Sequence, residues 1–270
     1  MPPNSIKEHF IRRRTRRGAA PSSLFVRLAP LFLLLLVWQF GASVTATHLL
    51  PAPLSVLSAM AAEARSGALF LNLAATLARV AAAFALAMIF GTALGVIMGR
   101  NKSVDRFCDP LLIVLLHMPA LVLIVLAYIW LGLNELAAIA AVTLNKLPNT
   151  AVTLREGARA LDKSLEEMAF VFGVPLGKRL RHVVLPQLAP YFAAAMRSGL
   201  SLVWKIVLVA ELLGRSNGIG FEIGIAFQLF DVTRLLAYAL PFVGLMLAVE
   251  TFFVQPFERR VSRWRPVHGV

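Results

Sequence analysis

Between Val80 and Gly99 the chain runs for twenty residues without an Asp, Glu, Lys or Arg. A helix of that length crosses a hydrocarbon core of roughly 30 Å, so the stretch limits the chain to folds that live in a bilayer. Two more uncharged runs repeat the constraint, Leu28–Ala62 and Leu111–Asn134. Only 15% of the 270 residues are charged, against roughly 25% in ordinary globular domains, and the fold class expected is an all-α membrane protein. Six spans are expected near 28–47, 74–99, 111–133, 136–153, 186–210 and 235–255, inside one transmembrane domain over 28–265. A basic tail, 1–27, precedes it and a short tail, 266–270, follows.

Several spans carry local expectations. Gly91, Gly95 and Gly99 recur every four residues and present a smooth face for another helix, within the same subunit or across a dimer seam. His117 and Pro119 stand where the third span would bend. Pro148 interrupts the fourth, and Lys146 is expected to snorkel to the nearer interface. The glycine-rich segment 212–234 is too polar to cross and is expected to fold as short helices.

The net charge of +13 does not point to nucleic acid, because the basic residues cluster beside apolar runs, without a stripe of interleaved aromatics. Placing the N-terminal tail inside puts 21 Lys and Arg on that side and 3 on the other. The positive-inside rule then places both termini in the cytoplasm. Cys108 is the single cysteine, which excludes an intrachain disulfide and a cysteine metal cluster.

The longest charged segment between spans is 156–186. Ser164 and Glu167 have the spacing of a capping box, so a helix is expected to begin at Leu165. Gly173 suits the left-handed residue past its end, and Pro175 the start of a second helix. Leu165, Met168, Ala169 and Phe172 share one face by the i, i+3, i+4, i+7 rule, as do Leu176, Leu180, Val183 and Val184. Such a pair either offers a docking face to a soluble partner or lies on the membrane surface.

No nucleophile elbow, HExxH motif or carboxylate pair appears, and the five histidines are isolated. Gly173-Val174-Pro175-Leu176-Gly177-Lys178 has one residue too few for a P-loop and lacks the following Ser or Thr. Neither an enzyme nor an ATP-binding chain is expected. Arg79, Arg197, Lys205, Glu211 and Glu250 fall within spans, where charge is costly and marks function by default. Lys205 and Glu211 sit about 120° apart on one helix and should not bridge within it. Lys205 either faces a translocation path or neutralises a carboxylate on another helix, and Trp204 either lines that path or faces lipid.

Glu167-Met168-Ala169, three residues, Gly173, nine residues and Val183-Val184-Leu185-Pro186 resemble the E-A-A, x3, G, x9, I-x-L-P signature of ABC importer permeases. Met168 replaces an Ala and Val183 an Ile. Leu50-Pro51-Ala52-Pro53, Ala210-Glu211-Leu212-Leu213-Gly214, Ser216–Phe221 and the closing Glu258-Arg259-Arg260 with Trp264 are similar to the nitrate, sulfonate and taurine branch. The resemblance implies a type I importer transmembrane domain, working as a homodimer in the bacterial inner membrane. Its partners would be two cytoplasmic ABC ATPases, which hold the ATP and magnesium, and a periplasmic or lipid-anchored binding protein. It implies that Leu165, Glu166, Glu167, Met168, Ala169, Phe172, Gly173, Leu185 and Pro186 couple to the ATPase, with Glu166 and Glu167 pairing to basic groups there. Trp204, Lys205 and Glu211 are the candidate path residues for a small anion. The alternatives are a non-anionic substrate or a secondary transporter. The latter would need acidic residues in mid-span, whereas Glu211 and Glu250 stand near span ends.

Overall fold

The computed structural model describes residues 24–45 and 49–257. Most of the basic tail, His48, the Glu258-Arg259-Arg260 and Trp264 motif and the segment 266–270 lie outside the described residues. Every regular element among them is helical.

Residues up to Ser55 form one compact unit and those from Val56 another. In the first, α1 spans Leu24–Thr45 and so takes in Leu24–Arg27, which the sequence reading assigned to the tail. Trp38 Nε1 donates to the Pro51 carbonyl at 2.9 Å. Pro51 and Pro53 break the chain before α2, Pro53–Arg65.

The second unit is built around α3, Ala68–Arg100, packed along α6, Glu135–Arg159. The glycine face is what allows the approach. A Cβ on Gly91 would stand 2.6 Å from Thr150 Cβ, and one on Gly99 2.6 Å from Ala158 Cβ. A Cβ on Gly95 would run into the Ala151 carbonyl. The face is therefore used inside the subunit.

Next come α4, Lys102–His117, capped by the Asn101 side chain, and α5, Ala120–Leu131. They meet at 101° across Met118 and Pro119. The bend expected at His117 and Pro119 is this corner: Pro119 forces the residue before it out of the helical region, and the two helices turn sharply there. Gly132, at φ 82°, turns the chain into Asn134, whose side chain caps α6 by accepting from Ala137 N. α6 runs on to Arg159, past the expected end at 153. Lys146 does not snorkel. It is 2% exposed, because Gly199 on a neighbouring helix leaves room for the end of its side chain.

After the short α7, Lys163–Val171, a continuous helix α8 covers Leu176–Gly214, with a π turn at Leu180–Val184. The second short helix expected before span five is thus its first turns. α9, Ile219–Gln228, fills the glycine-rich segment, and α10, Val232–Phe257, closes the described chain with a π turn at Glu250–Val254. Among the described residues α3, α8 and α10 are long and apolar enough to cross a membrane, and α4 with α5 would add a fourth crossing if the bent pair is one span. Phe32–Thr45 is a shorter apolar stretch, and Asn145, Lys146, Pro148 and Asn149 lower the hydropathy of α6.

Candidate functional site

The segment 156–186 is assembled from local chemistry and a few long-range bonds. Asp162, two residues before the expected cap, accepts from Ser164 N at 2.9 Å and from the Ser164 hydroxyl. These bonds, the hydroxyl's first, hold the Asp162 carboxyl below its usual range. The helix accordingly starts at Lys163, and no capping box between Ser164 and Glu167 forms. Asp162 wins because its own N–H is taken by Gln187 Oε1 on α8, at 2.9 Å, which sets the chain at the cap angle.

At the other end of α7, Gly173 adopts φ 62°. Gly173 N donates to Phe170 O at 3.0 Å and Val174 N to Ala169 O at 2.9 Å, the two bonds of a Schellman stop. Pro175 then precedes the first turn of α8. Leu185 and Pro186 lie within α8 just past its π turn. Leu185 is exposed, while Val184 and Leu188 pack on Ala158.

The apolar face of α7 points differently from the helical-wheel expectation. Ala169 is 4% exposed and belongs to the packing. Leu165 and Met168 are exposed, and Phe170, Val171 and Phe172 stand open at 77 to 79%. Phe170 and Val171 were missed because they fall off the i, i+3, i+4 stripe. Their signal was being apolar residues beside a helix stop. Leu176, also exposed, continues the patch onto α8.

The two glutamates divide. Glu166 is held inside the chain: Arg100, the last residue of α3, donates to both its oxygens at 2.7 and 3.0 Å. Arg179 Nη2 stands 3.5 Å away. Its expected pairing outside the chain is thus replaced by an internal one. Glu167 is exposed, and among the described residues it makes no ion pair.

Trp204, Lys205 and Glu211 do not converge. Glu211 is wholly buried. Arg79 Nη1 reaches its Oε1 at 2.6 Å, Thr76 Oγ1 donates to Oε2 at 2.9 Å, and Gly220 N donates to the same oxygen at 2.8 Å. Arg79 also binds Glu135 at 2.8 and 2.7 Å, and Arg215 joins Glu135 at 2.7 Å. The Glu135 carboxyl, hydrogen-bonded to Arg79, is held below its usual range. Glu211 is therefore a structural member of an ion network joining α3, α6, α8 and the loop before α9, a role shared with Arg79 and Glu135. Lys205 is exposed and lies 5.5 Å from the Trp204 ring centroid. Trp204 is half-buried, edge-on to Phe242 at 5.7 Å between centroids.

A family model described as "Binding-protein-dependent transport system inner membrane component" matches residues 87–263. The aliphatic sulfonates permease designated SsuC from Escherichia coli (strain K12) is 31% identical, over 90% of this chain and 94% of that protein. The bicarbonate transport system permease CmpB of Synechococcus elongatus is 29% identical, over 93% and 98%. The taurine transport system permease TauC of E. coli is 25% identical, over 98% of both. Among solved structures, an inward-facing MetNI methionine ABC transporter chain superposes with a TM-score of 0.62 at 19% identity, over 74% of this chain and 99% of that one. That likeness is one of fold.

Proposed function

The chain belongs to the family of binding-protein-dependent transport system inner membrane components, a membrane-spanning ABC importer permease, and we propose that it carries a small anion across the bacterial inner membrane under the drive of a separate ATPase. Sulfonates, taurine and inorganic anions such as nitrate are the substrate class. The working unit is a homodimer with two cytoplasmic ATPase subunits, which hold ATP and magnesium, and a binding protein that delivers substrate from the far side. Both termini and the segment 156–186 face the cytoplasm.

The observation that carries this reading is the α7 corner. A nine-residue helix with a left-handed glycine stop presents Met168, Phe170, Val171 and Phe172 to solvent, together with Glu167. Leaving five large apolar groups exposed, Leu176 included, is costly unless a partner covers them. The corner then runs without a break into α8, so a push on α7 displaces a helix long enough to span the membrane. Leu165, Glu167, Met168 and Phe172 make the contact, Gly173 sets its angle, and Leu185 and Pro186 lead the motion into α8. Ala169 and Glu166 hold α7 to its own subunit.

Glu167→Arg and Gly173→Pro test the reading. Gly173→Pro removes the N–H that Phe170 O accepts and cannot reach φ 62°. Both variants should stay in the membrane and lose uptake. Co-purification of the ATPase at wild-type level together with normal uptake in both would refute it.

A further inference from the structure

Midway along α6, eleven residues after Glu135 and thirteen before Arg159, Lys146 is closed into the packing of three helices. It is 2% exposed, and among the described residues its ammonium has neither a hydrogen-bond partner nor a counter-ion. The space it occupies exists because residue 199 of α8 is a glycine. A Cβ there would stand 2.6 Å from Lys146 Cε, 3.2 Å from its Nζ and 3.1 Å from Phe84 Cε2 on α3. A cation taken out of water without a partner is costly, and a glycine inside a helix weakens it relative to alanine. The chain keeps two residues that are each unfavourable, and the glycine is what lets the lysine in.

On either side of this pair the seam between α6 and α8 is apolar. Toward Glu135, Ala138, Ala141 and Val142 pack with Val203 and Val207. Toward Arg159, Leu154 packs with Ala195. Those contacts hold α8 against α6, and the Lys146 charge opposes them. α8 is also the helix that begins directly after the Gly173 corner and runs on as a continuous span, so a push on α7 acts on the seam that Lys146 weakens.

We propose that Lys146 is a positioning residue for transport: it disfavours the arrangement in which Gly199 covers it, and so keeps α8 within reach of a second arrangement in which the ammonium meets water. A side chain that raises the free energy of one of two arrangements shifts the population toward the other by the same amount. Without the charge, the covered arrangement dominates and α8 leaves it rarely. A seam without Lys146 would be more stable and would transport less, the usual conflict between stability and motion. The inference deepens the permease reading and rests on it for the movement of α8.

Lys146→Met and Gly199→Ala push the balance in opposite directions, and uptake is followed with whichever of taurine, ethanesulfonate and nitrate the wild type imports. Lys146→Met should raise the melting temperature of the purified full chain yet cut the maximal uptake rate in cells roughly tenfold. The half-saturating concentration should change less than about twofold. A residue that served packing alone would alter stability and leave uptake as it was. Gly199→Ala should drive the Lys146 side chain out of its slot, so that acetic anhydride acetylates Lys146 roughly tenfold faster than in the wild type. Mass spectrometry reads this against the exposed Lys178, and melting curves report whether each variant is folded. Unchanged maximal uptake in Lys146→Met overturns the inference, as does a lowered melting temperature there or equal acetylation of Lys146 in the wild type and folded Gly199→Ala. Uptake in cells carrying Glu167→Arg separates the two readings. Loss there with normal uptake in Lys146→Met sinks the seam inference alone. Normal uptake there with loss in Lys146→Met sinks the ATPase-driven reading and supports the seam.

Discussion

Reversing the charge at Arg100 cuts the bond that ties α7 to the end of α3. Arg100 donates to both oxygens of Glu166, and the side chains are 39% and 18% exposed. A pair this open to water contributes about 1 kcal/mol even with two parallel bonds, the upper end for exposed ion pairs. Arg100→Glu loses that and adds a repulsion of similar size, about 2 kcal/mol together, or roughly a 30-fold shift in how often α7 is held against α3. The packing of α3 on α6 is untouched, so the melting temperature should hardly move. The assay is substrate imported per ATP hydrolysed, in liposomes containing permease, ATPase and binding protein. ATP hydrolysis should persist while import per ATP falls by roughly tenfold. The swap Arg100→Glu with Glu166→Arg should restore coupling only in part, because Arg179 then faces a like charge where it now stands 3.5 Å from Glu166. Wild-type import per ATP in Arg100→Glu would refute the linkage, and so would a double variant no better than either single one.

Three more outcomes follow from the packing and the cap. Lys146 is 2% exposed and, among the described residues, makes no hydrogen bond or ion pair; Lys146→Met should raise stability by about 1–3 kcal/mol, seen as a higher melting temperature, and a lower one would show that the ammonium has a partner. Gly95→Ala should cost about 1–3 kcal/mol, since its methyl group would meet the Ala151 carbonyl and Arg155 N on α6; the check is the yield of monodisperse protein, and an unchanged yield and melting curve would refute the close approach. The Asp162 carboxyl is held below its ordinary value of 3.8, so its contribution is complete above that value and is lost as pH falls through the lower folded one. Hydrogen exchange at Ser164 and Leu165 should therefore speed up below about pH 4, and Asp162→Asn should flatten the profile.

The parts of the site legible in the sequence are those decided within a few residues. Gly173 as a left-handed stop and Pro175 at the next helix start follow from backbone chemistry alone. Asp162 and Ser164 are both good caps, and the choice between them rests on Gln187, twenty-five residues on. Periodicity shows that α7 has an apolar face without saying which way it points. Ala169 turned inward, and Phe170 and Val171 outward. Lys146 reads as a snorkelling lysine until Gly199, on another helix, opens a slot for it. Glu211 reads as a path residue until Arg79 arrives from α3, 132 positions away.

Those long-range partners explain how a weak surface pair can matter. α3 is held by charge at two points, by Arg79 in the Glu211 and Glu135 network and, at its end, by Arg100 at Glu166. The two arginines are 21 residues apart, about 31 Å along the helix at 1.5 Å per residue. Between them Gly91, Gly95 and Gly99 let α3 lie directly on the backbone of α6, which leaves little room for it to bend and makes it move as a rod. A displacement of α7 therefore travels along α3 to Arg79 only if Arg100 passes it on, and it reaches α8, which carries Glu211, separately through the unbroken helix after Gly173. Losing the Arg100 bond leaves the second route working alone, and for that reason its effect should register in coupling far more than in stability.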